Sequence, residues 1–105
     1  MPALALEIDK EKLRDFCRRW KITEFALFGS AVRPEEFRPD SDVDVLVTFA
    51  GDAPWTLLHM VDMRQELMAI FGREVDLLER EGVQQSLNAR RRERILHSAV
   101  LLDVA

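Results

Sequence analysis

The sequence predicts an α/β (α+β) fold, a small mixed β-sheet covered by helices. Two observations set this class. Stretches of helical and strand character alternate along the chain, in the order helix, strand, helix, strand, helix, strand, helix. The turn-forming residues fall between these stretches rather than inside them. With 105 residues the chain has the length of one domain, 1–105, built around a single core.

Each element has its own justification. From about Asp9 to Trp20, Leu13, Phe16, Cys17 and Trp20 recur at helical spacing, and Asp9 is suited to cap the start. Ile22-Thr23-Glu24-Phe25-Ala26-Leu27-Phe28 is β-branched and aromatic, and predicts a strand ending at Gly29-Ser30. Ala31-Val32-Arg33 can then begin a short helix. Pro34 to Ser41, with two prolines and four charges, predicts an exposed loop. Asp42-Val43-Asp44-Val45-Leu46-Val47-Thr48-Phe49 carries the strongest strand signal, broken by Gly51, Asp52 and Pro54. A long helix follows from Trp55 to Phe71, with Leu57, Leu58, Val61, Leu67, Met68 and Phe71 as its apolar stripe and Gly72 as its stop. Glu74-Val75-Asp76-Leu77-Leu78 predicts a third strand, and the tail from about Gln84 to Val100 a last helix.

Composition narrows the function classes. A formal net charge of −4 argues against binding nucleic acid through an overall positive field, so no direct nucleic-acid partner is expected. The single Cys17 allows neither an internal disulfide nor a Cys-rich zinc site, and reads as an inert helical thiol. The longest apolar run, Leu67 to Phe71, is too short to span a bilayer, and Met1-Pro2-Ala3-Leu4 has no secretion-signal character. A soluble cytoplasmic domain is the expectation.

The chemistry concentrates at three places: Gly29-Ser30 after the first strand, Asp42 and Asp44 at the start of the second, and Asp76 in the third. Strand side chains alternate, so Asp42 and Asp44 share one face while Val43, Val45 and Val47 share the other. Two close carboxylates repel each other unless a cation lies between them, and a hard ion such as Mg²⁺ suits that position while leaving room for phosphate oxygens. With Asp76 on a neighbouring strand, three carboxylates can hold two such ions, an arrangement suited to in-line displacement at phosphorus. Gly29 allows close backbone approach, the Ser30 hydroxyl can donate to a terminal phosphate, and Arg33 can reach a phosphate oxygen. A calcium loop starting at Asp40 fails, because its Gly and final Glu positions hold Val45 and Gly51.

Leu27-Phe28-Gly29-Ser30, Arg33, Pro39-Asp40-Ser41-Asp42-Val43-Asp44-Val45-Leu46-Val47 and Val75-Asp76-Leu77-Leu78 resemble the minimal nucleotidyltransferases of the DNA polymerase beta superfamily. The resemblance is closest to MntA-type antitoxins, encoded beside HEPN-domain toxins, and covers about Ile22 to Val100. It implies that Asp42 and Asp44 bind two Mg²⁺ ions, that Asp76 completes the metal site and helps deprotonate the acceptor, and that Gly29 and Ser30 hold the triphosphate of ATP. It further implies transfer of AMP to a tyrosine of a HEPN RNase, with release of pyrophosphate. Eleven residues separate Ser30 from Asp42 where the family usually has ten, the extra one falling near Glu35-Glu36-Phe37. The alternatives are a catalytically idle antitoxin acting by contact, and a transferase acting on a small molecule or an RNA end. Retention of all three aspartates favours catalysis. The chain has no Tyr, so it cannot modify itself on tyrosine and must act in trans.

Arg90-Arg91-Arg92-Glu93-Arg94 forms a basic run in which Arg91 and Arg92 continue the apolar stripe of Ile95 and Leu96. They either snorkel or face an acidic partner or phosphates. His59 and His97 lack a second ligand at metal spacing, and Trp20, Trp55, Met60, Met63 and Met68 read as packing residues.

Overall fold

The computed structural model describes residues 8–38 and 40–104. Met1 to Leu4 and Pro39, read above for a signal and within the motif, lie outside the described residues. Helix α1 (Lys10–Arg19) is followed by β1 (Ile22–Phe28), β2 (Val43–Phe49), α2 (Leu57–Phe71), β3 (Val75–Glu79), α3 (Arg80–Gln84), α4 (Ala89–Ser98) and β4 (Val100–Leu102). The sheet order is β3-β2-β1-β4; β1 is antiparallel to both β2 and β4, whereas β2 and β3 are parallel. Helix α2 supplies the crossover that a parallel pair requires.

Helices cover both faces of the sheet. On one, Leu13, Phe16 and Cys17 of α1 and Met63 and Leu67 of α2 pack on Phe25, Leu27, Val43, Val45, Val47 and Val75. On the other, Val83 of α3 and Ile95 of α4 pack on Ala26, Phe28 and Leu46. This explains why Phe25 to Phe28 are all buried: β1 is central and covered twice.

The element ends have local causes. The Asp9 carboxylate accepts from the Lys12 amide at 3.2 Å and caps α1 as expected. Helix α2 stops at Gly72, whose φ of 67° is the left-handed conformation glycine tolerates and whose N–H donates to Met68 O at 2.8 Å. The Arg64 guanidinium covers the edge of β3, donating through Nε to Val75 O at 2.8 Å and pairing with Glu74 at 2.7 Å.

Several expectations need correction. Helix α2 starts at Leu57 rather than Trp55, with Thr56 as its cap. The first half of its expected core stripe faces outward: Leu57, Leu58 and Val61 are 84%, 79% and 55% exposed, and Met63 with Leu67 forms the buried face. The short helix after β1 is a 3₁₀ turn over Gly29–Val32, and the following loop contains a second one over Pro34–Glu36. The tail is not one helix. A break at residues 85–88 separates α3 from α4, Asn88 caps α4 by accepting from the Arg91 amide at 3.1 Å, and the chain then forms β4 against β1.

Among the described residues no helix is long and apolar enough to cross a membrane. Cys17 is buried, and burial pushes its thiol up to about 11, in keeping with an inert role. Trp20 and Trp55 serve packing: their ring centroids are 5.0 Å apart, the Trp55 indole donates to Trp20 O at 2.6 Å, and the Trp20 indole donates to Glu66. His59 Nδ1 accepts from the Thr56 amide at 2.9 Å, at the start of α2.

Candidate active site

The expected site residues come from three adjoining strands. Asp44 lies within β2 and is flanked in the ladder by Phe28 of β1 and Asp76 of β3. The parallel register therefore sets Asp44 directly opposite Asp76. Strand alternation holds as expected: Val43, Val45 and Val47 enter the core with α1 and α2, while Leu46 enters the core with α3 and α4. Asp44, two residues before Leu46, is thereby turned toward the α3–α4 face. Asp42 is exposed and lies one residue before the strand begins.

Gly29 ends β1 with φ +67°, so the chain turns into the 3₁₀ segment in a conformation disfavoured for other L residues. A Cβ at this position would collide with Asp44 Oδ2 and stand 3.2 Å from its Cγ. The glycine thus has two reasons: the turn, and the space that the Asp44 carboxylate fills. Ser30 is half-buried within the same turn, its carbonyl accepting from the Arg33 amide at 3.0 Å.

The electrostatics follow from this crowding. Burial, then the charges of Asp76 and Asp42, raise the Asp44 carboxyl from 3.8 to about 6, with Arg33 and Arg91 opposing. The ionised site is therefore repulsive by construction and lacks enough positive charge of its own. Arg33 is exposed and forms an ion pair with Glu36, a competing partner for any phosphate. The Arg90–Arg94 run divides its roles. Arg92 is half-buried and donates to Ser86 O at 2.8 Å, whereas exposed Arg91 is the member within electrostatic reach of Asp44. A hollow of about 200 Å³ beside β3 is lined by Leu78, Val83, Ser86, Arg91, Arg92 and Ile95.

Among the described residues no three His, Cys, Asp or Glu side chains close around a single point. The donor set still fits Mg²⁺, which takes one or two carboxylates and completes its shell with water and phosphate oxygens. Arg73, three residues before Asp76, lies in the Gly72-Arg73-Glu74-Val75-Asp76 approach to the third strand that the family resemblance covers, but nothing in the sequence assigns it a role.

A mixed sheet of this order, with a Gly-Ser turn after β1, Asp42 and Asp44 at the start of β2 and Asp76 in β3, defines the class as a nucleotidyltransferase with the polymerase beta-like fold. Residues 10–102 match the nucleotidyltransferase domain family. Protein adenylyltransferase MntA of Thermococcus cleftensis is 35% identical over 82 residues, which are 78% of this chain and 77% of that protein. A solved candidate minimal nucleotidyltransferase is 33% identical and superposes with a TM-score of 0.67, covering 89% of this chain and 88% of its own. A crystal structure of a toxin–antitoxin with AMP-PNP shares the fold, with a TM-score of 0.66 at 19% identity, over 90% of this chain and 72% of that one. The chain belongs to the nucleotidyltransferase domain family, in its MntA-type branch, and is a nucleotide-utilising transferase.

Proposed function

We propose that this chain is an Mg²⁺-dependent protein adenylyltransferase and antitoxin, moving AMP from ATP to a tyrosine hydroxyl of a cognate HEPN RNase toxin. The observation that carries the reading is the placement of Asp44 opposite Asp76 with Gly29 against its carboxylate. The likeness to a protein adenylyltransferase of Thermococcus cleftensis and to one partner of a toxin–antitoxin assembly supports a protein acceptor within a toxin–antitoxin pair.

In this reading Asp42, Asp44 and Asp76 hold two Mg²⁺ ions, which supply charge neutralisation for the triphosphate and polarise the α-phosphate. The Gly29-Ser30 turn holds the phosphate chain, the Ser30 hydroxyl donating to a terminal phosphate oxygen. Arg33 binds phosphate by exchanging Glu36 for it, and Arg91 adds positive charge from α4. The Leu78, Val83 and Ile95 floor of the adjacent hollow accommodates the flat base. Asp76 takes the proton of the tyrosine hydroxyl, whose oxygen bonds to the α-phosphorus as the bond to the bridging oxygen breaks and pyrophosphate leaves.

Incubation with α-labelled ATP, Mg²⁺ and the HEPN protein encoded alongside tests this. Label is expected on the partner, and is expected to fall at least about a thousandfold with Asp42→Asn or Asp44→Asn, since each removes a charge acting on the transition state. Full neutralisation of the toxin by both variants with no label transferred would replace this reading with neutralisation by contact.

A further inference from the structure

The approach to β3 carries a side chain that the phosphate and carboxylate motifs leave unexplained. Half-buried Arg73 donates through Nη1 to the main-chain carbonyls of Arg38, at 2.8 Å, and Ser41, at 3.3 Å. Its guanidinium carbon stands 4.3 Å from the centroid of the Phe37 ring. These attachments all reach the end of the loop that leads into β2. The loop is itself tied there, with the Arg38 amide donating to Ser41 Oγ at 2.8 Å and the Ser41 amide to Arg38 O at 3.0 Å. Arg73 therefore grips a closed turn.

The two aspartates of the Asp-Val-Asp motif are held by different means. Asp44 sits inside the ladder, between Phe28 and Asp76. Asp42 precedes the first strand residue, so its place depends on its covalent neighbours. On one side the Val43 amide donates to Glu74 O at 2.9 Å; on the other Ser41 O accepts from Arg73. Both neighbours of Asp42 are thus fastened to the consecutive residues Arg73 and Glu74, and Asp76 follows two residues later.

We propose that Arg73 is a positioning residue that fixes Asp42 relative to Asp76, and so sets the carboxylate spacing on which ion binding depends. The proposal rests on the nucleotidyl-transfer reading above. A planar fork suits the task because it donates to two carbonyls while stacking on a ring, which an ammonium group does less well.

The test uses Mn²⁺ as a paramagnetic substitute for Mg²⁺, titrated with a non-hydrolysable ATP analogue and read by electron paramagnetic resonance. The Mg²⁺ dependence of AMP transfer and thermal unfolding are measured beside it. Arg73→Met is expected to weaken Mn²⁺ binding about ten- to a hundredfold and to raise the Mg²⁺ requirement by the same factor. At saturating Mg²⁺, kcat should return to within about twofold of the parent. Arg73→Lys should recover part of the loss. If Arg73→Met does not fold, Arg73→Lys and Phe37→Leu decide the matter, each with a smaller shift in the same direction. Parental Mn²⁺ affinity in the deciding variants overturns the proposal, as does a fall in kcat that no Mg²⁺ concentration restores. A parent chain that binds no Mn²⁺ overturns the transferase reading as well, whereas parental binding unchanged by the substitutions overturns only the role of Arg73.

Discussion

Replacing Asp44 with Asn should stabilise the unliganded protein while destroying the proposed metal site, and the size of the gain can be worked out. Burial and the neighbouring carboxylates raise this carboxyl from 3.8 to about 6. Between those two values the folded chain keeps a proton that the unfolded chain has released, so stability falls as pH rises through the window and is level above it. Each pH unit of displacement is worth about 1.4 kcal/mol, which gives an upper bound of about 3 kcal/mol. Asp44 is only half-buried, and water screens its neighbours, so about 1–2 kcal/mol is the expected effect. Urea unfolding followed by the fluorescence of Trp20 and Trp55 at pH 4, 6 and 8 measures it. The parent should lose stability from pH 4 to pH 6, and Asp44→Asn should lack that component of the loss and exceed the parent by about 1–2 kcal/mol at pH 8. Parallel pH profiles for the two proteins, or a less stable Asn variant at pH 8, would refute the account of a repulsive carboxylate cluster.

Other expectations follow from the same geometry. Gly29→Ala puts a methyl group against the Asp44 carboxylate at a left-handed φ; about 1–2 kcal/mol should be lost in urea unfolding, and AMP transfer should fall about a hundredfold. Mg²⁺ with an ATP analogue at a hundred times its dissociation constant should add about 2.7 kcal/mol to the parent, and little to Asp44→Asn, by thermal shift. Along α2, Leu67→Ala should cost about 2–5 kcal/mol, whereas Leu58→Ser should stay within about 0.5 kcal/mol, which urea titration of the isolated chain distinguishes. Cys17 should resist a thiol reagent in the folded protein and react once urea unfolds it.

The sequence revealed the elements that determine their own structure and was silent where packing decides. Strand β1 spans Ile22–Phe28, as its β-branched and aromatic run predicts, because a central strand buried on both faces needs apolar residues almost throughout. The placement of Asp44 on β2, Asp76 on β3 and the Gly-Ser turn after β1 was legible because motif order fixes it, whereas Asp42 lies one residue before its expected strand. Helix α2 was harder. It is apolar on nearly every side, so Leu57, Leu58 and Val61 fit a helical stripe as well as Met63 and Leu67 do, and only the sheet selects between the faces. Strand β4 is three residues long, and Val100-Leu101-Leu102 has no alternation to set it apart from the end of a helix; its pairing with β1 creates it. The break between α3 and α4 was not predicted, the tail reading as one helix, although Ser86 and Asn88, whose side chains serve as turn and cap, mark it. The clasp of Arg73 had no local signature, since it links residues 35 and 32 positions apart.

The β2–β3 ladder runs unbroken from Val43–Val75 to Val47–Glu79, and the irregularity of the β1–β2 pair falls at Ile22/Glu24, away from Asp44. The site is therefore indexed by parity. One residue added to or removed from the start of β2 would exchange its faces, sending the aspartate into the layer of Phe16, Phe25 and Leu67 and turning valines toward the nucleotide. The same change between Val32 and Glu36, ahead of the Arg73 clasp, alters only a loop. Tolerance of length in this chain should thus change along this stretch: insertions are absorbed ahead of the clasped turn, and after Asp42 a single one inverts the surface on which the chemistry depends.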